Sequence, residues 1–386
     1  MPESKWPMIS VDEAFATVMR FAHPLPPRAV PLMDALDRTL AADVSADEDM
    51  PPFRASTVDG FAVLAEDQEP QRRLIGEQTA GRPENIVVTP GTAARITTGA
   101  PVPDGANAVV MVEQTEERDG WVWLRGAALA PGANIRPIGQ DIRRGEVVLR
   151  AGAVLGPAEL GVLATLGRAE ASVIPPPVVA VLSTGDELVE PGIPPGAGQI
   201  RDSNRYTLMA AIRRLGALPL DLGIVEDRQG DLEGRVERGL AEAHVLVSSG
   251  GVSMGHLDLV KPLLERLGTV HFGRVNMKPG KPLTFATVGP TLAFALPGNP
   301  VSSLVGFELF VRPAIRRMQG RAEGERATVR ARLAHPVRHD PERTEFQRAI
   351  VQRNADGYTA ATTGFQGSSR LMSMVGANAL LVLPHG

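Results

Sequence analysis

From Pro175 to Met318, continuous apolar runs alternate with amphipathic stretches, and no other feature limits the fold as strongly. Val178–Leu182 contains no polar residue, as expected of a strand buried on both faces. The pattern then predicts a helix over 203–215, a strand at Leu218–Val225, a helix over 227–243 and a strand at Val245–Ser248. A helix ending at Leu267 follows, then strands near Val270–Phe272, Pro282–Thr287 and Leu292–Ala295, and a long helix from Pro300 to Met318. Strands alternating with helices predict a parallel sheet with helices on both faces, a three-layer α/β domain.

The flanking sequence has another texture. Ser10-Val11-Asp12-Glu13 is a capping box ahead of an apolar stripe at Ala14, Val18, Phe21 and Ala22, which predicts a helix ending before His23-Pro24. A second short helix is predicted from about Leu32 to Ala42. From Pro51 to Arg150, Gly, Pro and Thr recur around β-rich runs at Ile86–Thr89, Ala108–Glu113 and Trp121–Leu124, which predicts a β-rich module. Pro157 at a first helical position predicts a short helix over 155–166. Strand-like runs return beyond Arg326 as a small β module.

A chain of 386 residues accommodates two to four domains of ordinary size, about 100–200 residues each. A net charge of −4 argues against a general nucleic-acid binder, which should be basic over a whole face. The absence of cysteine excludes a disulfide framework, a thiolate zinc site and a cysteine nucleophile. No apolar run approaches the roughly 18 residues needed to cross a bilayer, and Met1–Trp6 lacks the regions of a signal peptide, so a cytoplasmic protein without a membrane partner is expected. Of the 40 basic residues only Lys5, Lys261, Lys278 and Lys281 are lysine. Two of those four share one hexapeptide, a place where a compact ammonium is wanted over a guanidinium fork. The segment 326–386 holds eight Arg and four acidic residues, so a basic module follows an acidic body and hints at an anionic ligand near it.

Three glycine-bearing loops fall after predicted strands: Ser183–Leu188, Ser248–Gly255 and Leu296–Pro300. Ligands of open α/β sheets bind at such carboxyl ends, and successive N–H groups in glycine loops cradle oxyanions, so a phosphate-bearing ligand is expected. In Lys278-Pro279-Gly280-Lys281 the central Pro-Gly predicts a type II turn that brings both ammonium groups together, where a bound anion would relieve their repulsion. Asn299 and Pro300 suit an N-cap and a first helical position, with Ser302 and Ser303 in the first turn. Asp186, Glu187, Asp227 and Asp258 each read singly as helix caps. Together they supply the oxygen ligands Mg²⁺ prefers. In the β-rich part Asp59, Thr98 and Asp141 are the polar residues of turns.

These segments resemble, in order, those of the molybdopterin molybdenumtransferases, which complete molybdenum cofactor synthesis. They are Ser56–Val63 (STVDGFAV), Ile96–Pro103 (ITTGAPVP), Val181–Leu188 (VLSTGDEL), Gly250–Asp258 (GGVSMGHLD), Lys278–Pro282 (KPGKP), Leu296–Ser302 (LPGNPVS) and the tail Phe365–Pro384. The resemblance implies four domains: α/β from 1–24 with 177–325, linking from 25–45 with 140–176, β-rich and protruding over 46–139, and a small C-terminal β-barrel over 326–386. It implies a homodimer with an active cleft between subunits. The implied reaction transfers molybdenum from molybdate to adenylylated molybdopterin, Mg²⁺-dependent, yielding molybdenum cofactor and AMP. An adenylyltransferase supplying the activated pterin and apo-molybdoenzymes taking the product are the implied transient partners.

Carried over position by position, the resemblance makes Asp59, Glu187, Asp227 and Asp258 catalytic, with Glu187, Asp227 and Asp258 holding Mg²⁺ and Asp59 or Glu187 the leading bases. It places Thr98, Asp141, Ser183, Thr184, Gly185, Ser249, Gly250, Gly251, Pro297, Gly298, Asn299 and Pro300 at the substrate. Lys278, Lys281, Ser253 and Ser302, with Arg348 and Ser368 or Ser369, would surround molybdate. Two other readings are a related adenylyltransferase and a non-catalytic pterin-binding scaffold. The long N-terminal modules and basic tail weigh against the first, and the acidic set with both lysines against the second.

Overall fold

A computed structural model describes residues 6–125, 129–225, 229–251, 259–322 and 326–386. The chain divides into two units, one of Met1–Ala41, Gly152–Leu160 and Glu170–Gly386, the other of Ala42–Ala151 and Gly161–Ala169.

Six strands form the central sheet of the first unit: β1 (Val178–Thr184), β2 (Leu218–Val225), β3 (Val245–Ser249), β4 (Thr269–Phe272), β5 (Thr284–Val288) and β6 (Thr291–Leu296). Their order is β2-β1-β3-β6-β5-β4. β2, β1, β3 and β6 run parallel, whereas β5 and β4 pair antiparallel. The sheet is therefore mixed, where the strand and helix alternation predicted parallel pairing. The cause lies between β5 and β6. Val288 pairs directly with Thr291 across a tight turn in which Gly289 takes a φ of 55°, so no room exists for the crossover that parallel pairing needs.

The helices are α1 (Val11–Phe21), α2 (Pro157–Thr165), α3 (Asn204–Arg214), α4 (Gln229–Glu242), α5 (Val260–Leu267), α6 (Pro300–Gly306) and α7 (Arg312–Met318). Alternating side chains of the sheet serve two cores. On one face Val179, Val181, Val245, Val247, Phe294 and Leu296 pack with Ala14 and Val18 of α1, Leu208 and Ile212 of α3, and Val301, Phe310 and Ala314 from the 300–318 region. On the other, Ala180, Leu182, Leu246, Ala293 and Ala295 meet Leu232 and Val236 of α4 and Val260, Leu263 and Leu264 of α5. This is the three-layer architecture, and each Val, Leu or Phe fully buried in it contributes about 1.5–3 kcal/mol over exposure.

Local chemistry explains the helix ends. Ser10 caps α1 and exchanges hydrogen bonds with Glu13, the capping box in full. Between α6 and α7 the helix continues as a π segment, Phe307–Val311. Pro313 offers no N–H to the turn before it, and the helix widens there. The helix expected over Leu32–Ala42 is instead a 3-10 turn, Leu32–Ala35, followed by the strand Thr39–Leu40. Asp37 at a φ of 59° ends the turn, and pairing of Thr39–Leu40 with Glu170–Ile174 decides the rest. The Ile86–Thr89 run makes an isolated bridge, Val87 to Asp104, in place of a named strand.

The C-terminal module is a five-stranded sheet, and one of its strands comes from far upstream. Met277–Lys278 pairs in parallel with the start of Thr344–Asn354, Lys278 beside Glu345. Taken by itself, the second unit holds a six-stranded sheet ordered Ala108–Met111, Gly60–Val63, Thr92–Ile96, Gln71–Gln78, Trp121–Leu124, Thr115–Arg118. Among the described residues no helix is long and apolar enough to cross a membrane.

Candidate active site

The chain leaves β1 for β2 on one side and reaches β3 on the other, which creates the strand-order switch where open sheets bind ligands. Backbone brings the loops there together. Gly250 takes a φ of 93°, and its N–H donates to the Leu296 carbonyl of β6 at 3.0 Å. A Cβ at Gly250 would lie 2.5 Å from the Thr184 carbonyl of β1, and one at Gly298 would lie 3.7 Å from the Gly250 Cα. The ends of β1, β3 and β6 therefore meet through main chain, and only glycine permits the approach at position 250.

Ser183, Thr184 and Ser249, expected at the substrate, are buried at these ends, and the hydroxyls of Ser183 and Thr184 have no hydrogen-bond partner among the described residues. Gly185 lies next, its N–H donating to Val225 of β2 at 3.3 Å. Exposed Glu187 folds back over it, its Oε2 2.4 Å from where a Gly185 Cβ would be. Pro297, Gly298, Asn299 and Pro300 form the loop into α6. Asn299 sits at the N-cap position but its side chain makes no capping bond, against the expectation of a cap; it lines a cavity instead.

That cavity, of about 890 Å³, gathers Lys278, Lys281, Asn299, Ser302 and Ser368. Arg338, Arg343, Glu345 and Gln347 add to its polar wall, and sequence reading named none of these four; Phe365, where the family-like tail segment begins, is an apolar lining residue. The signal for those four was the basic character of the tail. Lys278 Nζ lies 3.4 Å from Oε1 of Glu345, a carboxylate only 4% exposed that also accepts from the Asp340 N–H at 2.7 Å. Arg343 bonds Asp340 and holds that carboxyl below its ordinary value. The Lys278–Pro279 peptide is cis, which the predicted type II turn did not include.

Arg348 and Ser369 do not line this cavity. Arg348 is 1% exposed, and its guanidinium donates to Ser373 Oγ at 3.0 Å and to the Gly367 carbonyl at 3.2 Å. It thus supports the 364–368 wall, whose Ser368 carbonyl accepts from the Val301 N–H of α6 at 3.0 Å.

Sequence reading also passed over Asn204 and Arg205. Asn204 Nδ2 donates to Ser249 Oγ at 2.8 Å and to the Gly298 carbonyl at 2.7 Å. Arg205, 2% exposed, bonds Asp202, Asp221 and Glu190. Burial alone would push its guanidinium down, but the three carboxylates raise it well above its ordinary value.

In the second unit, Thr98 donates to Asp59 and holds that exposed carboxyl below its ordinary value. Asp141 pairs with Arg136. Asp227, Ser253 and Asp258 lie outside the described residues, and no group of three or more metal-ligating side chains occurs among the described ones. His271, without metal-ligand spacing in sequence, is a half-buried strand residue stacked 4.2 Å from the Phe21 ring, with burial pushing its imidazole down.

Three family models cover the chain in order: "MoeA N-terminal region (domain I and II)" over 9–167, "Probable molybdopterin binding domain" over 180–317 and "MoeA C-terminal region (domain IV)" over 330–386. The chain is 36% identical to the molybdopterin molybdenumtransferase of Haemophilus influenzae, covering 97% of this chain and 94% of that one. The chain belongs to the molybdopterin molybdenumtransferase family. It is an enzyme of this family, a transferase. Similarity to the gephyrin of Dictyostelium discoideum is 37% over 99% of this chain, which spans only 61% of that longer protein. A solved molybdopterin biosynthesis protein from Pyrococcus horikoshii superposes with a TM-score of 0.85 at 32% identity, covering 98% of this chain and 95% of that one. Of the segments that resemble this family, Val181–Leu188, Lys278–Pro282 and Leu296–Ser302 carry residues that meet at Gly250 or wall the Lys278 cavity, whereas Ser56–Val63 and Ile96–Pro103 belong to the second unit.

Proposed function

We propose that the protein transfers molybdenum from molybdate to adenylylated molybdopterin, releasing AMP in a Mg²⁺-dependent reaction. The observation that carries this reading is the convergence of Lys278, Lys281 and Ser302 on one cavity beside the glycine loops. Ammonium and hydroxyl donors from several directions suit a tetrahedral dianion, and charge-assisted hydrogen bonds are the strong ones. Gly250, Gly251 and the Pro297–Pro300 loop receive the phosphate end of the pterin substrate, with Ser183, Thr184, Gly185 and Ser249 beneath them.

For Mg²⁺, the proposed donors are the carboxylates of Glu187, Asp227 and Asp258, which follow β1, β2 and β3 in the sequence. Hard oxygen donors of this kind fit the ion. When bound, it supplies charge neutralisation as the phosphoanhydride is cleaved. Glu187, exposed and folded over Gly185, holds its oxygens at the mouth of that loop. Asp59, whose carboxyl Thr98 holds below its ordinary value, is the other candidate base. Homodimerisation, with the active cleft formed between copies, belongs to the same proposal.

The test is AMP release from adenylylated molybdopterin with and without molybdate, in the presence of Mg²⁺. Molybdate-dependent release, with a product that activates an apo-molybdoenzyme, is expected. Tight pterin binding without release would replace the transferase reading with that of a scaffold.

A further inference from the structure

We infer that Asn204 is a positioning residue: its side-chain amide sets the spacing of the loops after β3 and β6, and through it the fit of the substrate's phosphate end. The inference rests on the proposed function for its substrate and on geometry for the rest.

An asparagine amide has two N–H donors, and both are committed here, to Ser249 Oγ and to the Gly298 carbonyl. Ser249 ends β3, and Gly298 belongs to the loop after β6. These are the loops whose main chains approach at Gly250 and Gly298. Because Ser249 Oγ accepts from Asn204, the single hydrogen of that hydroxyl is left for another acceptor.

The amide is delivered from a fixed base. Asn204 is the first residue of α3, and the next residue, Arg205, ties that helix start to three chain segments. Its guanidinium bonds Asp202 at 3.0 Å and Asp221 of β2 at 2.6 Å, and it also pairs with Glu190. Consecutive residues thus do complementary work, one holding the helix and the other holding the two loops to it.

Few side chains can replace this one. Aspartate would set lone pairs against the Gly298 carbonyl and supplies a donor only when protonated. Glutamine is one methylene too long for a helix held this firmly. Alanine leaves the Gly298 carbonyl and the Ser249 hydroxyl without their donor, and a lost hydrogen bond of this kind is worth about tenfold in an equilibrium constant.

The experiment uses the full chain as wild type, Asn204→Ala and Asn204→Asp. With adenylylated molybdopterin, Asn204→Ala should raise KM about tenfold, while tungstate affinity at the lysine cavity stays within about twofold of wild type. Asn204→Asp should recover part of its KM as pH falls, because only the protonated carboxyl donates to Gly298; Asn204→Ala should not. Hydrogen exchange at the Gly250 amide should rise in Asn204→Ala whether or not catalysis is observed. If exchange rises but wild type releases no AMP, positioning stands and the functional reading fails. Unchanged exchange in Asn204→Ala overturns the inference, as does an Asn204→Asp pH profile that matches that of Asn204→Ala.

Discussion

Thr98 donates twice to one carboxylate oxygen of Asp59, from its backbone N–H at 2.7 Å and from Oγ1 at 2.9 Å. The contact follows from strand register. Gly60 pairs with Ile96, so the residue before one strand and the turn after the other are carried to the same end of the sheet.

Both bonds lower the Asp59 pKa, the backbone bond more than the hydroxyl. A carboxyl depressed in the folded state contributes stability above its unfolded value, and that contribution is lost as pH falls through the lower folded value. Thr98→Val removes the hydroxyl bond and should move the Asp59 midpoint up toward its ordinary 3.8. Carboxyl NMR titration checks this, and equal midpoints in the two proteins would exclude the hydroxyl's contribution.

The two lysines of the cavity should respond differently to removal. Lys281→Ala should weaken tungstate or molybdate binding by about 10–100-fold, the worth of a charge-assisted bond. Lys278→Ala should do the same and also lower the melting temperature, because Lys278 faces the buried Glu345 carboxylate. Calorimetric titration and thermal melts of the paired variants separate the effects. Tungstate density in a soaked crystal away from Lys278, Lys281 and Ser302 would move the oxyanion site.

Arg205→Met should destabilise the protein by about 3–5 kcal/mol, the cost of leaving a buried charge without its partner. The Asp202 side chain beside it is 1% exposed, so water cannot replace the guanidinium. Chemical denaturation provides the measurement, and a loss below about 1 kcal/mol, the range of a surface ion pair, would contradict the buried clamp.

Gly60→Ala should damage the second unit out of proportion to one methyl group. Its Cβ would lie 1.8 Å from the Val110 carbonyl of the neighbouring strand. Overpacking of this kind costs typically about 1–3 kcal/mol, and here the obstacle is backbone that cannot rotate away. A melting temperature equal to that of wild type would show that the two strands can separate without cost.

The central sheet was largely legible in sequence. The strand expected at Leu218–Val225 has those bounds, and the runs at Val178–Leu182 and Val245–Ser248 are extended by one or two residues. Apolar runs mark strands because a sheet covered on both faces takes apolar side chains along most of each central strand, with the polar Ser and Thr of β1 and β3 confined to their carboxyl ends. The capping box at Ser10 and Glu13 was equally legible, because a cap is a contact between residues three apart. The helix expected over Leu32–Ala42 failed where tertiary pairing outweighed local preference, with Thr39 and Leu40 buried against Glu170–Ile174. Antiparallel pairing of β5 hung on a single turn at Gly289, which a reading based on strand and helix alternation overlooked.

The candidate site divides the same way. Sequence by itself determined the glycine loops, the paired lysines, the periodicity of the sheet and the family, because these depend on residues close together in the chain. Only the tertiary structure set Glu345 beside Lys278, turned Arg348 inward to Ser373 and Gly367, and aimed Asn204 at Ser249 and Gly298. A local pattern specifies which backbone shape is cheap. Which distant hydrogen-bonding groups meet is settled by strand register and packing, where most buried polar atoms find partners, and many of those partners lie far away in the sequence.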